Sequence, residues 1–225
     1  MDEKQPWEIV WTEVMRKLGS DAESALIGDY TYDQAYDFNI SFSDLLVKTA
    51  HELFPESSKD VLSVLNNQNI VKNFFSQIDA KINQAQQAIN SAAGVGLKTV
   101  KVKTPKQLIV NEQATDNILS DIKRYTTALE TTGRDHIDIA QRANAKFHDG
   151  AGMDVTVTRI YDGVGINHRE DSCEFCLSRC GTNVPYKQAV AMGMFDRHDG
   201  CGCKIVYTSS TGKVTTSTSK YGGFN

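Results

Sequence analysis

The chain has 225 residues, a formal net charge of −4 and a pI of about 5.7. It carries 16 basic against 21 acidic residues up to Gly150, and 8 against 7 beyond it. Neither part is a surface that neutralises a run of phosphates, so nucleic acid is disfavoured as a primary partner. No run of about eighteen apolar residues exists to span a bilayer.

No apolar leader opens the chain, so synthesis is expected in a reducing cytosol. Pro6 to Leu18 reads as a short helix, with Trp7, Trp11, Val14, Met15 and Leu18 at helical spacing and Gly19 as its exit. Residues 19–40 are mixed and aromatic (Tyr30, Tyr32, Tyr36, Phe38) and read as partly irregular. Ser41 to Phe54 predicts a second helix, ended by Pro55. Ser57-Ser-Lys-Asp60 can cap the next element.

From Val61 to about Ala92 the spacing predicts one long amphipathic helix. Val71, Phe74, Phe75, Ile78, Ile82, Ala85 and Ile89 line a single face. Gly94 and Gly96 stop it. Leu97 to Val110 reads as an edge strand or an extended link. Two further helices follow, Asn111 to Thr131 and Arg134 to Phe147, with Gly133 as the interruption. The first buries Ile118, Leu119, Ile122, Tyr125 and Leu129. His51, His136, His148 and His168 read as surface or capping residues, and Asp135, Asp138 and Asp149 as a solvated face.

Asp149-Gly150-Ala-Gly152 is the strongest breaker, dividing a helical domain, 1–150, from a small α+β module, 151–225. In the module, Val155, Val157 and Tyr161 alternate with polar residues as in a strand. Tyr186 to Met194 fits a short helix, and Lys204 to Thr208 and Lys213 to Thr218 fit two more strands. Asp162-Gly163 and Ser210-Thr-Gly212 read as turns, and the Ser/Thr-rich tail as mobile at its end. The fold class expected is therefore mostly α, followed by a small α+β module.

All five cysteines lie in that module, at 173, 176, 180, 201 and 203. Cys173-x-x-Cys176 and His198-x-x-Cys201 are two close pairs separated by 21 residues. Each pair can turn both side chains toward one tetrahedral zinc ion. Cys203 competes with Cys201 for the fourth position, since the two point to the same side of an extended segment. Cys180 could replace another ligand. Structural zinc sites are coupled to folding, and four or five donors suit a closed, structural site better than an open catalytic one. No βαβ unit flanks the Cys-x-x-Cys to make it a redox pair.

Arg159-Ile-Tyr161-Asp-Gly-Val-Gly165, Asp171-Ser-Cys173-Glu-Phe-Cys176 with Gly181 after it, and His198-Asp-Gly-Cys201-Gly-Cys203 together resemble the C-terminal module of tailed-phage minor head proteins, the head morphogenesis or Mu F-like family. The likeness covers about residues 155–208. Gly202 stands where many members have Arg, so no contact from that position is carried over. The resemblance implies a non-enzymatic minor structural protein of the virion, made in the host cytoplasm. It implies one structural zinc, head assembly or genome delivery as the role, and portal, major capsid or scaffold proteins as partners, with a homo-oligomer left open. The rival readings are a zinc-dependent nuclease or hydrolase and a nucleic-acid-binding zinc module. The missing His-x-Glu counts against a deaminase-like hydrolase.

Overall fold

Thr31 starts the helix around which the rest is packed. Its hydroxyl accepts the Gln34 N–H and the Gln34 side chain accepts the Thr31 N–H at 2.8 Å, a reciprocal capping box. The computed structural model describes residues 4–22, 30–93, 96–105, 117–161, 173–198 and 201–209. Five helices come first: α1 (Pro6–Ala22), α2 (Tyr32–Leu53), α3 (Ser58–Leu65), α4 (Gln68–Ala92) and α5 (Ile118–Gly150). Then follow β1 (Val155–Ile160), α6 (Glu174–Leu177), β2 (Gly181–Pro185), α7 (Tyr186–Ala191) and β3 (Lys204–Ser209). The chain is mostly helical, with a small three-stranded antiparallel sheet near its C-terminal end, ordered β2-β1-β3 among the described residues.

Several expected boundaries shift. Gly19 lies inside α1 and does not end it. The second helix begins at Tyr32 rather than Ser41, because the Thr31 cap turns the aromatic stretch helical. Tyr32 and Tyr36 are buried in the core. The helix expected from Val61 to Ala92 is two: Asn66 caps α3, and the Asn67 side chain accepts the Asn69 N–H at 2.9 Å to start α4. Asn side chains compete with the helical ladder for backbone donors, and two in succession break it. Ser57 caps α3 as expected, accepting the Asp60 N–H.

Gly133 does not interrupt a helix; it lies within the 33-residue α5. A Cβ there would sit 1.8 Å from Oδ1 of Asn39. Asn39 on α2 donates to the Glu130 carbonyl at 2.9 Å, so this glycine admits a side chain that ties the two helices together. Leu119, expected on the buried stripe, is 79 % exposed. The segment 96–105 forms no strand. It is pinned through Asn144, which accepts the Val100 N–H, and through Thr104, which donates to Asp79.

The α4 residues from Val71 to Ile89 named above are all buried. Phe38, Phe42 and Phe74 stack in succession at 5.2 and 5.4 Å between ring centres, with Trp11 edge-on to Phe42. The apolar core does not stop at Gly152. Val155, Val157, Tyr186, Ala189, Met194, Phe195, Ile205 and Tyr207 belong to the same cluster as the helical residues. A buried polar chain crosses the same border. Tyr32 and Tyr207 both donate to Oε1 of Gln86 at 2.8 Å, Gln86 donates to Asn90, and His148 lies 3.1 Å from that Asn90 oxygen.

In the sheet, β1 pairs with β3 in the register Val157↔Tyr207, and the hydroxyls of Thr156 and Thr208 lie 2.7 Å apart. The other neighbour of β1 is β2, a strand the sequence reading did not anticipate. The strand expected at Lys213–Thr218, the turns at Asp162-Gly163 and Ser210–Gly212, the tail, His168 and the start of the helix expected at Asn111 lie outside the described residues.

Candidate metal centre

Two short segments carry the donors. Cys173 is the residue before α6 and Cys176 its third residue, so one turn of helix sets both sulfurs on one side. The second segment runs from α7 into β3. There Cys201 donates its N–H to the His198 carbonyl at 3.1 Å, which folds the pair into a turn. Phe175 lies edge-on to the His198 ring at 5.2 Å, and the Arg179 guanidinium covers the Phe175 ring at 3.6 Å.

The side chains converge. Nε2 of His198 is 3.1 Å from Sγ of Cys173 and 3.1 Å from Sγ of Cys176, and Sγ of Cys176 is 3.6 Å from Sγ of Cys201. Cys173, Cys176 and His198 form one group, and Cys176, Cys201 and Cys203 a second. Within each, the ligand atoms lie within 4.8 Å of one another, and each group could hold a metal ion. Cys176 is common to both. Cys180 belongs to neither; burial pushes its thiol up, against a hydrogen bond with Cys203. The five residues expected as ligands thus fall into two overlapping groups that meet at Cys176.

A hydrogen bond from Cys203 holds the Cys201 thiol down to about 4, against burial and with help from the guanidiniums of Arg197 and Arg159. Cys203 is pushed up by that same bond and by burial. Burial pushes Cys176 up to about 12.

Three buried arginines surround the second segment. Arg134 of α5 donates to the Gly202 carbonyl at 3.2 Å. Arg197 donates to the Cys201 carbonyl at 3.1 Å and lies 3.6 Å from its sulfur, while pairing with Asp138 of α5. Arg159 of β1 bonds the Met194 and Asp196 carbonyls and faces the sulfurs of Cys176 and Cys201. Burial works against the Arg159 charge, but the cysteine sulfurs around it raise its proton affinity overall.

None of these arginines was anticipated, though one signal was available. Arg159 shares the inward parity of Val155 and Val157, and an arginine on that face of a strand needs an acceptor inside. Asp138, read as part of a solvated face, and His136 and His148, read as surface or capping residues, are buried at 1 %, 1 % and 0 % exposure. Comparison with family models, with curated proteins and with solved structures finds no match to this chain.

Proposed function

We propose that Cys173, Cys176, His198 and Cys201 hold one structural zinc ion, and that the chain is a minor head protein of a tailed phage. The observation that carries the zinc reading is the donor set itself. Nε2 of His198 stands 3.1 Å from the sulfurs of Cys173 and Cys176, Cys176 links that group to Cys201 at 3.6 Å, and no carboxylate belongs to either group. Thiolate and imidazole donors in a tetrahedral set select zinc over hard oxygen-loving cations.

A structural ion is favoured over a hydrolytic one by the crowding of donors. Cys203 lies within the same cluster, and Glu174, which follows Cys173, is exposed on α6. An open coordination position with a facing general base is what hydrolysis would need. The ion would lock the α6 turn to the segment leading into β3. That would give a fixed shape to a surface including Leu177, which is 48 % exposed.

The phage-head reading rests on the likeness of residues 155–208 to the Mu F-like module, and the assembled donor set is consistent with it. In this role the protein is non-enzymatic and acts through contacts with portal, major capsid or scaffold proteins. The test is to purify particles from a host carrying the parent phage genome and search them by mass spectrometry. The chain should be present in few copies per head. Its absence from both full and empty heads would retire the reading.

A further inference from the structure

Arg159 is 1 % exposed and is the largest fully buried side chain of the described residues. A buried guanidinium has to be matched by acceptors and by negative charge. One terminal nitrogen, Nη1, meets carbonyls only, donating to Met194 at 3.0 Å and to Asp196 at 2.6 Å. The other, Nη2, points at sulfur, 3.5 Å from Cys201 and 3.8 Å from Cys176. Among the described residues no carboxylate pairs with it, so the matching charge falls to the cysteines.

A dication bound by three thiolates and a neutral imidazole leaves one net negative charge. We infer that Arg159 is the built-in counterion and positioning residue of the metal centre, holding the ligand segment by its carbonyls while donating N–H bonds to the Cys176 and Cys201 sulfurs. The inference rests on the zinc reading above and deepens it. Such N–H bonds stabilise sulfur lone pairs, which should slow attack on electrophiles and keep the ion in place. The forked, planar geometry matters, because carbonyls and sulfurs are served from two different nitrogens, and lysine has only one.

The test uses the full chain loaded with Zn2+ or Co2+, as wild type, Arg159→Lys and Arg159→Met. Zinc affinity is measured by competition with a chromophoric chelator, and zinc loss under iodoacetamide by release into that chelator. The cobalt forms report the sulfur-to-metal charge-transfer band. Arg159→Met is expected to bind zinc about 10- to 100-fold more weakly, to release it faster on alkylation, and to shift the band to longer wavelength. Arg159→Lys should fall between the two.

Wild-type affinity, release rate and band position in Arg159→Met would overturn the role while leaving the zinc site standing. If Arg159→Met fails to fold, Arg159→Lys decides: wild-type values there overturn it. A band that stays in place while affinity falls would make Arg159 a loop anchor only, which also overturns it. Failure of the wild-type protein to bind zinc would remove the metal reading on which the inference depends.

Discussion

Asp138 and Arg197 meet as a buried ion pair between α5 and the metal-ligand segment, with 1 % and 3 % of their side chains exposed. Tyr36 also donates to Asp138, and Gln141 donates to the Tyr36 hydroxyl at 2.7 Å and to the Ile205 carbonyl at 2.9 Å. Burial pushes the Asp138 carboxyl up against the pull of Arg197. One side chain of the helical region is thus bonded to a residue adjacent to His198.

Breaking that pair from one side should be costly. Asp138→Asn leaves the Arg197 charge buried without its partner, and a loss of about 3–5 kcal/mol is expected in urea unfolding. Replacing both partners, as Asp138→Leu with Arg197→Met, should recover a large part of it, because neither charge then needs a counterpart. Equal loss in the single and double variants would show that the pair is not what holds this border.

Gly133 should resist the usual helix-stabilising exchange. Alanine gains roughly 1 kcal/mol over glycine in an exposed helix interior, but here its Cβ meets the Asn39 amide at 1.8 Å. Gly133→Ala is expected to lower stability by about 1–3 kcal/mol, as overpacking does. In an Asn39→Ala background the same change should become neutral or stabilising. Thermal melts of the four proteins in the cycle check this.

The two candidate ligand groups make different demands on the cysteines. Zinc content by elemental analysis should be about one ion per chain. Cys176→Ser removes the sulfur common to both groups and should abolish binding. In the proposed set Cys201, 3.6 Å from the Cys176 sulfur, is the fourth ligand, so Cys201→Ser should weaken binding strongly whereas Cys203→Ser should retain the ion. Loss of zinc in Cys203→Ser with retention in Cys201→Ser would exchange their roles.

His148 should shape the acid limb of stability. Burial lowers its proton affinity below the usual histidine value of 6.5. A group with a depressed folded pKa binds more protons unfolded than folded. Its contribution is therefore complete above about pH 6.5 and is lost as pH falls from there through the folded value. His148→Gln can still donate to Asn90 but does not titrate, so its stability should fall less steeply between about pH 6.5 and 5. Parallel pH profiles for the two proteins would count against this.

Repeating local patterns were readable without coordinates. The α4 stripe from Val71 to Ile89, the Ser57 cap, the β1 alternation and the five donors all follow from spacing, because each depends on residues a few positions apart. Boundaries were less readable, although their signals were present. Thr31-x-x-Gln34 is a capping box, and Asn66-Asn67 is a pair of helix competitors within an otherwise unbroken stripe. An aromatic run hid the first, and the continuity of the apolar stripe hid the second.

What the order of amino acids determined on its own was the presence of a helical region, a cysteine-rich segment after Gly152, and two donor pairs suited to a common ion. What only the tertiary structure decided was burial. Asp138, His148 and Arg159 are ordinary polar residues until helices and strands far apart in sequence surround them. Desolvation then demands a partner for each, and those partners, Arg197, Asn90 and the cysteine sulfurs, lie 17 to 59 positions away. No local pattern encodes such pairings, because their energy comes from removing water by packing that the whole chain must complete first.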